Sequence, residues 1–374
     1  MAAASPLLTT RQLNRALLAR QMLLAREEAG TVNVVEAVER LAGLQAQVPR
    51  PPFVGLWTRL AGFRREDLLS PLHRREIVRV TAMRGTLHLL SARDYVSLRG
   101  ALQPGLTRGM QSILRERAAF DFAGLEKQAR AFFSGAPATF DAFRDHLKAR
   151  DPECDERAMA YAIRTHVPLV QVPTETAWGF PAAADFALAD AWLGTPVSTD
   201  PAPAEALVLR YLAAFGPATP GDAQVWSGLQ GLREVFAALR PSLVTFRDER
   251  KRELFDLPDA PRPADPEDMT PAPVRFLPEF DNLVLSHDDR TRIVADEHRP
   301  HVVTKNLQVR ATFLVDGFVA GTWKTERKKK TAILLIEPFG PLAKATRRAL
   351  EPEGDALLRF LEADAETRDV VVNQ

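Results

Sequence analysis

Ile77-Val78-Arg79-Val80-Thr81-Ala82-Met83-Arg84-Gly85-Thr86-Leu87-His88-Leu89-Leu90 reads as a hairpin. Ile77–Ala82 and Thr86–Leu90 are rich in β-branched and apolar residues and flank the turn Met83-Arg84-Gly85, the pattern of two short paired strands. Upstream, the spacing predicts three helices. Arg11 to Glu27 is long and amphipathic, with Thr10 placed to cap it; Val35–Leu44 and Phe53–Leu60 follow. Three helices and then a hairpin is the element order of a winged helix, with the hairpin as its wing.

The same order recurs twice. The second stretch has helices Phe122–Phe133, Phe140–Lys148 and Glu156–Thr165, then strands Leu169–Val172, Ala177–Phe180 and Phe186–Leu188. The third has helices Ala204–Phe215, Gly221–Ser227 and Leu232–Leu239, then strands Leu243–Phe246 and Glu253–Leu257. Pro137-Ala138-Thr139 and Pro217-Ala218-Thr219 each precede the second helix of their stretch, so the threonine can cap that helix both times. Pro258 to Pro273 holds six prolines and reads as a linker. Beyond it come strands Val274–Leu277, Leu283–Leu285, Val309–Val315, Phe318–Trp323 and Ala332–Ile336, with Asp316-Gly317 as a two-residue hairpin turn. Helices Pro341–Leu350 and Gly354–Glu362 close the chain. The expected fold class is therefore α+β: three tandem winged-helix domains (residues 1–120, 121–200 and 201–260) followed by a C-terminal β-barrel or curled sheet (261–374).

The 374 residues are too many for one ordinary core, and an apolar fraction of 46% with 26% charged residues belongs to a folded chain. No apolar run reaches the length of a membrane span, the N-terminal stretch has no secretory pattern, and Cys154 stands alone. These point to a cytoplasmic protein with neither disulfides nor a thiolate zinc site. The net charge of +1 does not announce a polyanionic partner. Its make-up says more, because only nine of the 49 basic residues are lysine and four of those lie between Lys324 and Lys330. Arginine's planar fork suits phosphates and guanine edges, although GC-rich codons produce the same bias.

Leu44-Gln45-Ala46-Gln47-Val48-Pro49-Arg50-Pro51-Pro52 is the segment with chemical content. On a helix, Gln45 and Gln47 would point about 200° apart. The three prolines end any helix and favour extended geometry before them, where residues i and i+2 share a face. Two amides can thus converge on one point. Either they cap the preceding helix and satisfy local backbone, or they act on a ligand.

Gln45-Ala46-Gln47, Arg84-Gly85-Thr86-Leu87-His88, Leu277-Pro278-Glu279-Phe280-Asp281-Asn282 and Ser286-His287-Asp288-Asp289-Arg290 together resemble the signature stretches of the winged-helix DNA glycosylases of the AlkZ and YcaQ type. The resemblance spans essentially the whole chain. It implies catalytic Gln45 and Gln47, with glutamine at the second position as in the AlkZ branch, associated with crosslink unhooking and self-resistance to alkylating natural products. The reaction implied is hydrolysis of the N-glycosidic bond of cationic N7-alkylguanine in double-stranded DNA, alkylated or crosslinked. Its leaving group needs no protonation, so two neutral amides that orient water and face a forming cation suffice. No lysine precedes Lys127, so the first winged helix offers no Schiff-base nucleophile beside the motif, and the enzyme is expected to be monofunctional. A cofactor-free, metal-free monomer associated with the nucleoid follows.

The remaining features leave alternatives open. Arg50, Arg84, Thr86 and His88 are candidate DNA contacts around the motif, or ordinary surface; His88 could also line the cleft. Lys324, Arg327, Lys328 and Lys329 form either a basic hairpin laid in a DNA groove or a solvated hairpin tip. Ser286-His287-Asp288 holds triad residue types but reads as a polar turn, and His287, His298 and His301 match no metal-ligand spacing. The alternative to the enzyme is a non-catalytic winged-helix DNA-binding protein or transcription regulator. The apolar Phe53–Leu60 helix makes a poor base-reading element and weighs against it.

Overall fold

Ile77–Thr81 and Leu87–Ser91 pair antiparallel around a tight helical turn, Met83–Gly85, and both strands are buried at every position, as their nearly continuous apolar and β-branched residues suit. The structure, a computed structural model, describes residues 5–114, 121–263 and 270–373. The hairpin is the centre of a five-stranded sheet. On one side Leu87–Ser91 takes the short strand Leu44–Gln45, and on the other Ile77–Thr81 pairs with Leu169–Gln171, which pairs with Phe186–Leu188. Segments far apart in sequence therefore share one sheet, and the glutamine segment is one of its edges.

A small second sheet holds Val244–Asp248 and Glu253–Asp256, with Leu7–Leu8 added in parallel to the first of these. The third sheet has five strands in the order Thr367–Val372, Thr331–Pro338, Phe318–Lys328, Thr312–Val315 and Arg275–Leu277. It is open. The expected barrel is not formed: the two edge strands do not pair, and helix Lys344–Leu361 covers one face. Leu350, Leu357, Leu358 and Leu361 share that helix's inner face, so the sheet buries its apolar side without curling closed. Leu283–Leu285, expected as a strand, lies in a helical turn, Asn282–Leu285, because the Asp281 carboxylate accepts from Leu283 N–H and starts it.

Other elements shift in instructive ways. Thr9, not Thr10, caps the first helix, in a box with Gln12, and that helix ends at Arg20. Thr139 and Thr219 cap their helices as expected. The two helices expected at the C-terminus are one, Lys344–Leu361, which carries Pro352 inside it. Ala177–Phe180 is not a strand, while helices Arg65–His73 and Ala92–Leu114 and strand Thr367–Val372 were not foreseen. Of the proline-rich linker, residues 264–269 lie outside the described residues. Its flanks are anchored, Arg262 on Asp256 at 2.7 Å and the Ala272 N–H on the Asp316 carboxylate at 3.0 Å.

Two fully buried ion pairs hold these parts as one body. Arg20 forks onto Asp256, and Arg59 forks onto Asp281, each at 2.8 Å. Arg59 follows helix Pro51–Trp57, so its bond ties the segment just after the glutamines to Leu277–Asn282. A buried carboxylate removed from such a pair costs about 3–5 kcal/mol, which makes the arrangement rigid. Among the described residues no helix is long and apolar enough to cross a membrane.

Candidate active site

Gln45 sits in the edge strand opposite His88, and Ala46 continues the pairing through its N–H to the Leu87 carbonyl at 2.7 Å. Gln45 is 8% exposed, whereas Gln47 and Val48 stand out in solvent. Each amide oxygen already holds one protein donor. Gln45 Oε1 accepts from Arg84 Nη2 at 2.8 Å, and Gln47 Oε1 accepts from the Leu87 N–H at 3.2 Å. A carbonyl oxygen has two lone pairs, so each amide is fixed in orientation and keeps one acceptor site. The two side chains reach over the same hairpin turn.

Arg84 has a left-handed backbone, φ 56°, and its other terminal nitrogen donates to the Trp226 carbonyl. Gly228 packs against it; a Cβ there would stand 3.2 Å from the Arg84 backbone. The main chain of the motif is held from below by Arg79, which donates to the Ala46 carbonyl at 2.8 Å and the Gln47 carbonyl at 3.2 Å. Arg79 is 3% exposed and lies over the Phe180 ring. Burial pulls the Arg79 and Arg84 guanidiniums down to about 10; Arg164 repels the first and Arg290 the second. None of Arg79, Arg84, Arg164 and Arg290 forms an ion pair among the described residues, and Arg164 Nε and Arg290 Nε are buried without acceptors. Two pairs of like charges, Arg79 with Arg164 and Arg84 with Arg290, thus lie beside the motif, a costly arrangement unless an anion arrives.

His88 is wholly buried. Its Nδ1–H donates to the Thr86 carbonyl at 3.0 Å, and its pKa falls to about 3 through burial and then the charge of Arg84. It is neutral, and its Nε2 has no partner. The Thr86 hydroxyl donates to the Met83 carbonyl and so serves the turn itself. Arg50 reaches across to the C-terminal sheet, contacting Glu279 at 3.2 Å and the Thr325 hydroxyl at 3.4 Å.

Gln45, Gln47, Arg84, Thr86 and His88 are thus brought together, and Arg50 joins them to the long hairpin that carries Lys324, Arg327, Lys328 and Lys329. On that hairpin Arg327 is bound by Glu362 and Asp364, both at 3.0 Å, and Lys324 by Glu326 at 3.3 Å. Lys328 and Lys329 form no ion pair among the described residues and are exposed. Sequence reasoning missed Arg79, Arg164 and Arg290. Arg290 closes the quoted stretch Ser286–Arg290 and Arg79 interrupts the apolar strand Ile77–Thr81, which were signals, whereas Arg164 is brought near only by helix packing.

The Ser286-His287 pair is not a surface turn. Both are buried, His287 donating to the Phe215 carbonyl at 3.1 Å while its other nitrogen meets Ser286 Oγ at 2.9 Å. His298 and His301 both pack on the Phe339 ring, at 4.8 and 5.4 Å. Among the described residues no group of three His, Cys, Asp or Glu side chains could hold a metal ion.

An open α+β scaffold that gathers unpaired arginines around two fixed amides defines a protein that handles a polyanion at a chemically equipped site. Comparison with known proteins narrows the class. A family model described as "DNA glycosylase AlkZ-like" matches residues 38–360, and the chain belongs to that family: it is a DNA glycosylase, a hydrolase of N-glycosyl bonds. It is 27% identical over 367 residues, 91% of this chain and 93% of the relative, to the interstrand DNA cross-link repair glycosylase of Streptomyces sahachiroi. Its fold matches the solved structure of the DNA glycosylase AlkZ from that organism with a TM-score of 0.80 at 22% identity, over 98% of this chain and all of the other.

Proposed function

We propose that this enzyme hydrolyses the N-glycosidic bond of cationic N7-alkylguanine in duplex DNA, leaving an abasic site, and that it acts on interstrand crosslinks as well as monoadducts. The relative named for cross-link repair supports the crosslink reading. One observation supports the chemistry: Gln45 and Gln47 are both oriented by protein donors, beside arginines that have no carboxylate partners. In this reading the winged-helix units and the basic hairpin grip DNA as a monomer, and resistance to a self-made alkylating agent is the biological setting.

The steps follow from charge. An alkyl group on N7 makes guanine a good leaving group, so departure needs no acid. Positive charge grows on the sugar, and fixed amide dipoles can face it while holding a water. Arg164 and Arg290 supply counter-charge for the phosphates on either side of the lesion, and Arg79 and Arg84 add to the field while holding the motif.

The test is release of N7-methylguanine from a duplex, followed by alkaline cleavage at the abasic site. Product formation by the wild type, lost in the Gln45→Ala, Gln47→Ala double variant with duplex binding retained, supports the reading. Equal rates in both would remove it.

A further inference from the structure

Hydrolysis leaves one proton without a destination. N7-alkylguanine departs neutral, the attacking water must lose a proton, and an amide oxygen is far too weak a base to keep it. A carboxylate stands nearby. Gln45, Glu279 and Asn282 line one small cavity, with Pro51 and Pro278 beside them. Its free volume, about 10 Å³, is at the lower bound of the room one water needs.

The polar side chains that line it have groups to spare for such a water. Glu279 Oε2 and Asn282 Oδ1 are both buried acceptors with no hydrogen-bond partner. Asn282 is 2% exposed and cannot turn, because its Nδ2 donates to the Gly43 carbonyl at 2.6 Å. Glu279 is fixed by Arg50 through its other oxygen. Gln45, whose Oε1 is held by Arg84, has its Nε2 hydrogens uncommitted. Two orphaned acceptors and one donor satisfy both hydrogens and one lone pair of a water, leaving the second lone pair free.

We propose that Glu279 is a catalytic residue: with Asn282 and the Gln45 amide it holds the hydrolytic water and takes its proton. This rests on the glycosylase reading of the same site. The free lone pair forms the O–C1′ bond as the C1′–N9 bond breaks, and the bonding pair neutralises the cationic purine. The water proton passes to the Glu279 carboxylate, so charge and atoms balance without a co-reactant. The position of Glu279 also needs an explanation of this kind, since a partly exposed carboxylate among DNA-facing arginines repels phosphate. Arg50 offsets that repulsion and holds the carboxylate in place.

Glu279→Gln keeps the shape and removes the proton acceptor. Single-turnover release of N7-methylguanine should fall at least 100-fold, while affinity for undamaged duplex stays equal or tightens, since one negative charge has left the groove. Glu279→Asp, which retracts the carboxylate by one methylene, should fall about tenfold. In Glu279→Ala, sodium azide should partly restore base release and yield the deoxyribosyl azide, a product no purely structural role would give. Release by Glu279→Gln within threefold of wild type overturns the proposal. So does a loss of rate accompanied by equally weakened DNA binding and a lowered melting temperature. A wild type that releases no alkylated base defeats the glycosylase reading itself, which an active wild type with an indifferent Glu279 would leave standing.

Discussion

Gln47→Ala separates catalysis from folding more cleanly than any other change at this site. The side chain is exposed, and its one bond, to the Leu87 N–H, is long at 3.2 Å. Water can replace that acceptor, so the stability loss should be at most about 1 kcal/mol, a melting shift of roughly 1–2 °C in a chain of this size. The chemical step should suffer far more. Removing one preorganised dipole that faces the forming cation costs about 100-fold in rate, or about 2.7 kcal/mol of activation free energy. Gln45→Ala should show a similar rate loss and a larger melting shift, because Arg84 Nη2 loses its acceptor in a half-buried position, worth about 1.5–3 kcal/mol. Because both amides serve one transition state, Gln45 through the water and Gln47 through the forming cation, the double variant will be less impaired than the product of the two single effects. Single-turnover release of N7-methylguanine, measured beside thermal melting, tests all three. A Gln47→Ala rate within threefold of wild type would refute the reasoning.

Gln47→Asp keeps an acceptor at the same rim and adds charge toward the forming cation, so release of the less labile 3-methyladenine should become measurable by the same assay. His88 titrates at about 3 when folded and near 6.5 when unfolded. As pH falls below 6.5 only the unfolded chain takes up that proton, so stability is lost steadily until pH 3, by about 2 kcal/mol at pH 5. Denaturant unfolding at pH 7 and pH 5 should show this loss reduced by that amount in His88→Gln; an unchanged loss would disprove it. Gly228→Ala forces a Cβ to within 3.2 Å of the Arg84 backbone at φ +81°, so both melting temperature and base release should drop. In the salt dependence of duplex binding, Lys328→Ala and Lys329→Ala should each flatten the log–log slope by about 0.9, while Arg327→Ala, already paired with carboxylates, should not.

Short-range order was legible from the chain. The hairpin at 77–90, the caps at Thr139 and Thr219, and the Asp316-Gly317 turn depend on neighbours within a few residues. The extended run through Gln45 was legible for the same reason, since the prolines after it forbid helix. What escaped was set at long range. Nothing in Leu283–Leu285 distinguishes a short strand from one helical turn; the Asp281 cap decides it, and Asp281 is itself placed by Arg59. Nor could the sequence show that the sheet would stay open, because closure depends on whether helix Lys344–Leu361 covers the apolar face first.

The net charge of +1 misled for a related reason. What a polyanion meets is the charge left after the fold has paired its ions, not the formal sum. Arg20 and Arg59 look in sequence like any other arginine, yet both are consumed by buried carboxylates that hold the body together. Arg79, Arg84, Arg164 and Arg290 bond only to neutral acceptors or to none, so their charge stays available beside Gln45 and Gln47. A near-neutral chain acquires a cationic site because its carboxylates were recruited elsewhere as structural partners. Glu279, held against Arg50 on the wall of the cavity it shares with Gln45, is the departure from that pattern that the proposed proton transfer would explain.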